Sequence, residues 1–224
     1  MHMSMGAGHG SMTSHDSMTG GGIFGLHGAI NLLPDWLAVI WVLVFLGVFL
    51  VHIRHLVQTR GPRQLWHAGH ILMAIGMAFM FIPASIVDLN IPASFWQLTF
   101  AGAALVIVAW MLTEAVDRHP INALWIVAVT DLAAMVYMWS PTGFQAPLTW
   151  LLVAYFLVQT LLWATDRMRS IDHHTLRGGY TVTSDGAVGT AVASPLICYR
   201  DLRLSMASMT TGMAYMLVAM QLLV

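Results

Sequence analysis

The run His70-Ile71-Leu72-Met73-Ala74-Ile75-Gly76-Met77-Ala78-Phe79-Met80 ends in a five-residue pattern: small, Met, small, aromatic, Met. The pattern returns as Ala134-Met135-Val136-Tyr137-Met138 and as Gly212-Met213-Ala214-Tyr215-Met216, each time inside an apolar stretch. Spacings of three and four put the Met side chains on one face of a helix. Three helices with the same kind of face imply a helical bundle made of repeated parts.

The sequence around these copies is that of a membrane protein. Of 224 residues, 58% are hydrophobic and only 8% are charged, which excludes an ordinary soluble domain. Stretches of about 20 apolar residues suit helices that cross a bilayer. Six are present, at 36–55, 65–84, 96–116, 122–139, 147–165 and 204–224. The expected fold is therefore an all-α integral membrane protein with six transmembrane helices arranged as three hairpins. The Met pattern falls on the second helix of each.

Charge sets the expected orientation. All nine basic residues are Arg. Arg54 stands at the end of the first span and Arg60 and Arg63 follow it, Arg118 follows the third, and the other five follow the fifth. By the positive-inside rule these connections are cytoplasmic, so both termini lie outside the cytoplasmic membrane.

Residues 1–22, MHMSMGAGHGSMTSHDSMTGGG, form a low-complexity arm, expected to be disordered because it has too little apolar surface to pack. It has neither the basic start nor the apolar core of a cleavable signal peptide. Residues 23–224 form the membrane domain, in which 166–203 is the one long cytoplasmic loop. The single cysteine, Cys198, excludes an intramolecular disulfide. No basic cluster points to nucleic acid, and no nucleotide-binding motif points to an ATP-driven pump.

The chemistry lies in sulfur. Thioethers are soft ligands that favour Cu(I), and this chain has seventeen Met. His70, Met73, Met77 and Met80 make a ladder about 15 Å tall at the helical rise. Met206, Met209, Met213, Met216 and Met220 make a second ladder, and Asp131, Met135 and Met138 a third. Converging, they would stack rings of sulfur through which a Cu(I) ion can step. Asp131 stands where the other copies have Met73 and Met209. A carboxylate at that depth is costly, so it offsets the ion's charge, relays a proton or hydrogen-bonds within the bundle. The arm adds His2, Met3, Met5, His9, Met12 and His15 as an outer capture site. Part of the pattern also has a plain packing reason, since Met fills apolar cores and small residues let helices close up.

A second constellation gathers near the inner surface. His52 and His55 lie one turn apart on one helix, as do His67 and His70 on the next. Such pairs hold a metal or, with His52 and His70 as ligands, haem b; equally, they simply mark where the membrane ends. The leading expectation is a Cu(I)-binding membrane protein for copper acquisition, passage or delivery, with lipid and copper as partners and no catalytic residue assigned. Two other readings use the same residues: a haem or metal redox protein, and an accessory subunit of a larger respiratory or oxidase-type complex. Assembly as a homo-oligomer is compatible with each.

The run from His70 to Met80, with the related run ending Gly212-Met213-Ala214-Tyr215-Met216-Leu217, resembles an actinobacterial family of small multi-spanning membrane proteins classed as a domain of unknown function. That resemblance implies the membrane fold and no activity. In ligand chemistry alone, the outer Met/His arm and the MxxxM spacing of Met73-Met77, Met209-Met213 and Met216-Met220 are similar to the Ctr copper transporters. There, three subunits line a pore with Met rings. The six spans and Asp131 depart from that pattern, so the likeness is one of chemistry rather than ancestry.

Overall fold

Proline stands in the first turn of three helices, where its missing N–H costs nothing and its fixed φ suits the helix. The computed structural model describes residues 35–82, 91–116, 123–140, 145–168 and 195–223. Among the described residues there are six α-helices and no strand. They are α1 (Asp35–Gln58), α2 (Pro62–Phe81), α3 (Ala93–Val116), α4 (Ala123–Met138), α5 (Ala146–Ala164) and α6 (Pro195–Leu223).

Local chemistry ends these helices where the sequence changes. Between α1 and α2 the chain turns through Gly61, whose φ of 75° few side chains tolerate, and Pro62 then opens α2. At the end of α5, Asp166 takes the left-handed conformation with φ 62°. Its N–H bonds to Trp163 O, and Arg167 N–H bonds to Leu162 O at 3.0 Å, so the last carbonyls of the helix are satisfied. The Asp166 carboxylate also meets Arg203 of α6 at 3.8 Å, a half-exposed ion pair of small energetic worth. Helix α6 begins at Pro195, within the 166–203 segment expected to be loop, because Pro195 serves as its N-terminal signal.

Successive helices pack most closely in pairs: α1 with α2, α3 with α4, and α5 with α6. Helix α1 also lies against α6, while α2 touches α3, α4 and α6. Half of the α2 span is buried, against 17% of the α3 span, so α2 is the hub and α3 lies outside. The outer surface is apolar: Leu43, Leu46 and Leu50 on α1, Leu98 and Leu105 on α3, and Leu151 and Leu161 on α5 are all exposed. Such a surface suits lipid rather than water. Four helices, α1, α2, α3 and α5, are long and apolar enough to cross a membrane; α4 is apolar but has only sixteen residues.

In lipid, burying an apolar side chain gains little, because the tails outside are as apolar as the core. Cohesion must come from close van der Waals packing and from hydrogen bonds between helices. Both are concentrated on the faces that carry the Met pattern.

Candidate metal centre

The three copies share more than sequence. On α2 the buried residues include 70, 73, 74, 76, 77, 80 and 81. The same positions counted 58 residues on (76 to 134) and 136 on (76 to 212) are buried throughout α4 and α6. Each inward face therefore presents one register: His70, Ala128, Met206; then Met73, Asp131, Met209; then Met77, Met135, Met213; then Met80, Met138, Met216. From His70 through Met216, the ten described candidate ligands are each at most 2% exposed. The eight Met among them join one continuous core, together with Met220; Met206 packs separately with Trp163 and Met168.

The small residues of the pattern set how the helices meet. A β-carbon on Gly76 would collide with the Phe100 ring of α3 and approach the Met135 methyl of α4 to 3.1 Å. On Gly212 it would collide with the Phe45 ring of α1. Phe45, Phe100 and Phe156 are all fully buried, one on each outer helix. Two seams are thus closed by a phenyl ring set against a glycine. At the corresponding position α4 has Ala134, and α4 and α5 do not approach as closely as the other two pairs.

Hydrogen bonds bridge that third seam instead. Tyr155 Oη donates to Asp131 Oδ1 at 3.0 Å, and Gln159 Nε2 donates to Asp131 Oδ2 at 3.1 Å. One turn spacing on α5 brings both donors to the same carboxyl group. Further along the seam, Tyr137 Oη shares a hydrogen bond of 2.8 Å with Thr149 Oγ1 and accepts one from the Gln145 N–H. Asp131 is therefore held by α5.

The four histidines do come together. His52 Nδ1 lies 3.1 Å from His67 Nδ1, and His55 stacks on His67 with centroids 5.3 Å apart. His52 Nε2 lies 3.4 Å from Ser205 Oγ, which itself donates to Leu202 O. His70 Nδ1 is 2.7 Å from the Trp66 carbonyl oxygen, and since a carbonyl only accepts, Nδ1 carries the hydrogen. In the neutral ring this leaves the lone pair on Nε2, which is buried and has no hydrogen-bond partner. A histidine oriented by one nitrogen and free at the other is arranged as metal-binding histidines are.

Haem fits this cluster poorly. Two axial histidines point their nitrogens at an iron between them, with both ring planes running through the metal. His52 and His70 instead stack face to face, with centroids 5.1 Å apart and planes 10° from parallel. Nor, among the described residues, are three His, Cys, Asp or Glu side chains arranged to hold one ion. A soft ion bound by sulfur and one imidazole nitrogen remains compatible with the residues present.

The arm candidates His2, Met3, Met5, His9, Met12 and His15 lie outside the described residues. Sequence reasoning missed Tyr155, Gln159, Trp66 and the three buried phenylalanines. Apart from Trp66, on α2, they lie on apolar helices that show no periodicity marking an inner face. The spacing of Tyr155 and Gln159 was the one available signal.

A family model matches residues 63–220, from the first turn of α2 to the last turn of α6. The chain belongs to the DUF5134 family. This is a domain of unknown function. No curated protein and no solved structure matches the chain. The DUF5134 region takes in every Met of the repeated register, along with His67, His70 and Asp131. His52 and His55, on α1, precede it.

Proposed function

We propose that this DUF5134 protein binds Cu(I) inside its helix bundle, as part of copper acquisition, passage or delivery at the cytoplasmic membrane. In this reading all six helices span the bilayer, the Arg-bearing connections face the cytoplasm, and both termini lie outside. The ligands come from the two Met ladders of α2 and α6: His70, Met73, Met77, Met209 and Met213. Met80, Met216, Met135 and Met138 complete the sulfur-lined core, and the arm collects the ion outside. Cu(I) is a soft monovalent cation; the protein supplies thioether ligands that no physiological pH protonates, one imidazole nitrogen, and a water-free setting that favours the reduced ion.

The observation that supports it most is the buried, unpartnered Nε2 of His70 at the end of a thioether ladder. Packing alone accounts for buried Met, but an orphaned imidazole nitrogen costs about 1–3 kcal/mol if nothing ever meets it.

The test is an anaerobic Cu(I) titration of the full-length protein against a competing chelator, followed by X-ray absorption at the copper edge. Tight binding with sulfur and one nitrogen around copper is the expected result. Failure to bind, or copper bound only by nitrogen and oxygen, would end the reading.

A further inference from the structure

Trp66 stands one turn before His70 on α2 and meets it twice. Its carbonyl oxygen accepts the hydrogen of His70 Nδ1 at 2.7 Å. Its indole ring lies against the imidazole, with centroids 3.9 Å apart and planes 39° from parallel. Aromatic pairs ordinarily keep their centroids about 4.5–7 Å apart. At 3.9 Å the indole face covers the smaller ring. Two further imidazoles touch the same indole, His67 nearly perpendicular at 5.0 Å and His52 at 5.7 Å.

A tryptophan that anchors a helix at the membrane surface is placed differently. Trp36 and Trp150 are 64% and 50% exposed, as such anchors are. Trp66 is partly buried, and it packs against both the Met core and the small cluster of Trp163, Met168 and Met206. Charge gives its contact with His70 a meaning. The lone pair of His70 Nε2 lies in the plane of the imidazole, buried and without a partner. Because the indole covers that imidazole, a cation on the lone pair stays within the roughly 6 Å over which an aromatic face attracts it. The attraction is greatest for tryptophan and grows where water is excluded. No carboxylate is hydrogen-bonded to His70, and among the described residues no three His, Cys, Asp or Glu side chains converge on one ion. The indole face supplies the negative potential that no carboxylate supplies there.

We propose that the indole face of Trp66 is part of the cation site at His70 and holds the ion by a cation–π contact. The inference rests on the Cu(I) reading above and adds a determinant of specificity to it. The ligands of that reading, one imidazole and several thioethers, are neutral, and so is the indole. The cost of taking an ion into a low-dielectric interior rises with the square of its charge. A site of neutral, polarisable groups therefore accepts a monovalent ion and rejects Zn(II) or Cu(II). Trp66 acts on the site from both ends: its carbonyl turns the free nitrogen of His70 toward the ion, and its ring attracts the charge that arrives.

The experiment places tryptophan carrying one, two or three ring fluorines at position 66 of the full-length protein, by nonsense suppression. Fluorine draws electrons from the face of the ring but leaves its outline and the backbone carbonyl nearly unchanged, so packing and the His70 hydrogen bond are kept. Cu(I), added anaerobically as its acetonitrile complex, is titrated against a competing chelator and followed by the fluorine resonance at position 66. That resonance reports this site alone, so ions held by the arm do not enter the affinity. The resonance should move as Cu(I) binds, and affinity should fall with each added fluorine, by about tenfold across the series. An unmoved resonance, a flat series, or an equal fall on fluorinating exposed Trp150 would overturn the contact with Trp66 and leave the Cu(I) reading standing. No Cu(I) binding by the unsubstituted protein would overturn both.

Discussion

Phe100 of α3 fills the space that a β-carbon on Gly76 of α2 would need. The same relationship joins Phe45 of α1 to Gly212 of α6. The small residues beside each Met pair are therefore contact points between helices. A sulfur-rich face and a close helix crossing are built by the same five residues.

Substituting these glycines should separate contact from helix propensity. In an open helix position Gly→Ala gains up to about 1 kcal/mol, whereas overpacking a tight one costs about 1–3 kcal/mol. Gly76→Ala and Gly212→Ala should lower the thermal unfolding midpoint in detergent. Gly47→Ala and Gly102→Ala, where nothing lies within 4 Å of the added carbon, should hold or raise it. Equal behaviour of all four would show that the phenyl contacts do not hold the bundle together.

Exchanging Met77 and Met213 together for Leu removes two ligands while nearly preserving volume, at under about 1.5 kcal/mol per site. Intramembrane Cu(I) binding should be lost, and circular dichroism and the unfolding midpoint should stay close to wild type. Unchanged copper stoichiometry in that double variant would reduce the Met ladders to packing.

His70 and His67 should differ despite lying one turn apart. Chelator competition on His70→Leu should show Cu(I) affinity reduced by tenfold or more, because its free Nε2 is the proposed ligand. His67→Leu should change affinity little, since His67 Nδ1 faces His52 and its loss acts first on that pairing. The reverse ranking would move the nitrogen ligand to the other side of the histidine cluster.

Removing a donor from Asp131 should cost stability. Tyr155→Phe and Gln159→Leu each leave one buried carboxyl oxygen unsatisfied, worth about 1–3 kcal/mol. Combined with Asp131→Leu, which removes the acceptor, the Tyr155→Phe change should be strongly non-additive, with a coupling of about 0.5–3 kcal/mol in a double-mutant cycle. Simple additivity would mean that the 3.0 Å contact contributes nothing.

Much of this was legible in the chain itself. The three pentapeptides marked α2, α4 and α6 as the helices with inward faces, and every one of their Met side chains is buried. Met73, Met77 and Met80 could be assigned to one face because a 3.6-residue period relates sequence spacing to direction around a helix. For α1, α3 and α5 the same logic had nothing to use. When lipid and core are equally apolar, Leu and Phe occur all around the helix, and no alternation distinguishes Phe100 from exposed Leu98 or Leu105.

The sequence by itself determined that the chain is helical and apolar, and which residues of three helices share a face, since those follow from composition and local periodicity. Only the tertiary structure decided who meets whom. Asp131 is bound by residues 24 and 28 positions away, His52 by one 15 positions away, and Gly212 by an aromatic ring near the chain's other end. Such pairings depend on how whole helices are placed side by side, and helix spacing carries no record of its neighbours. The partners that hold Asp131, Tyr155 and Gln159, came into view only with the fold.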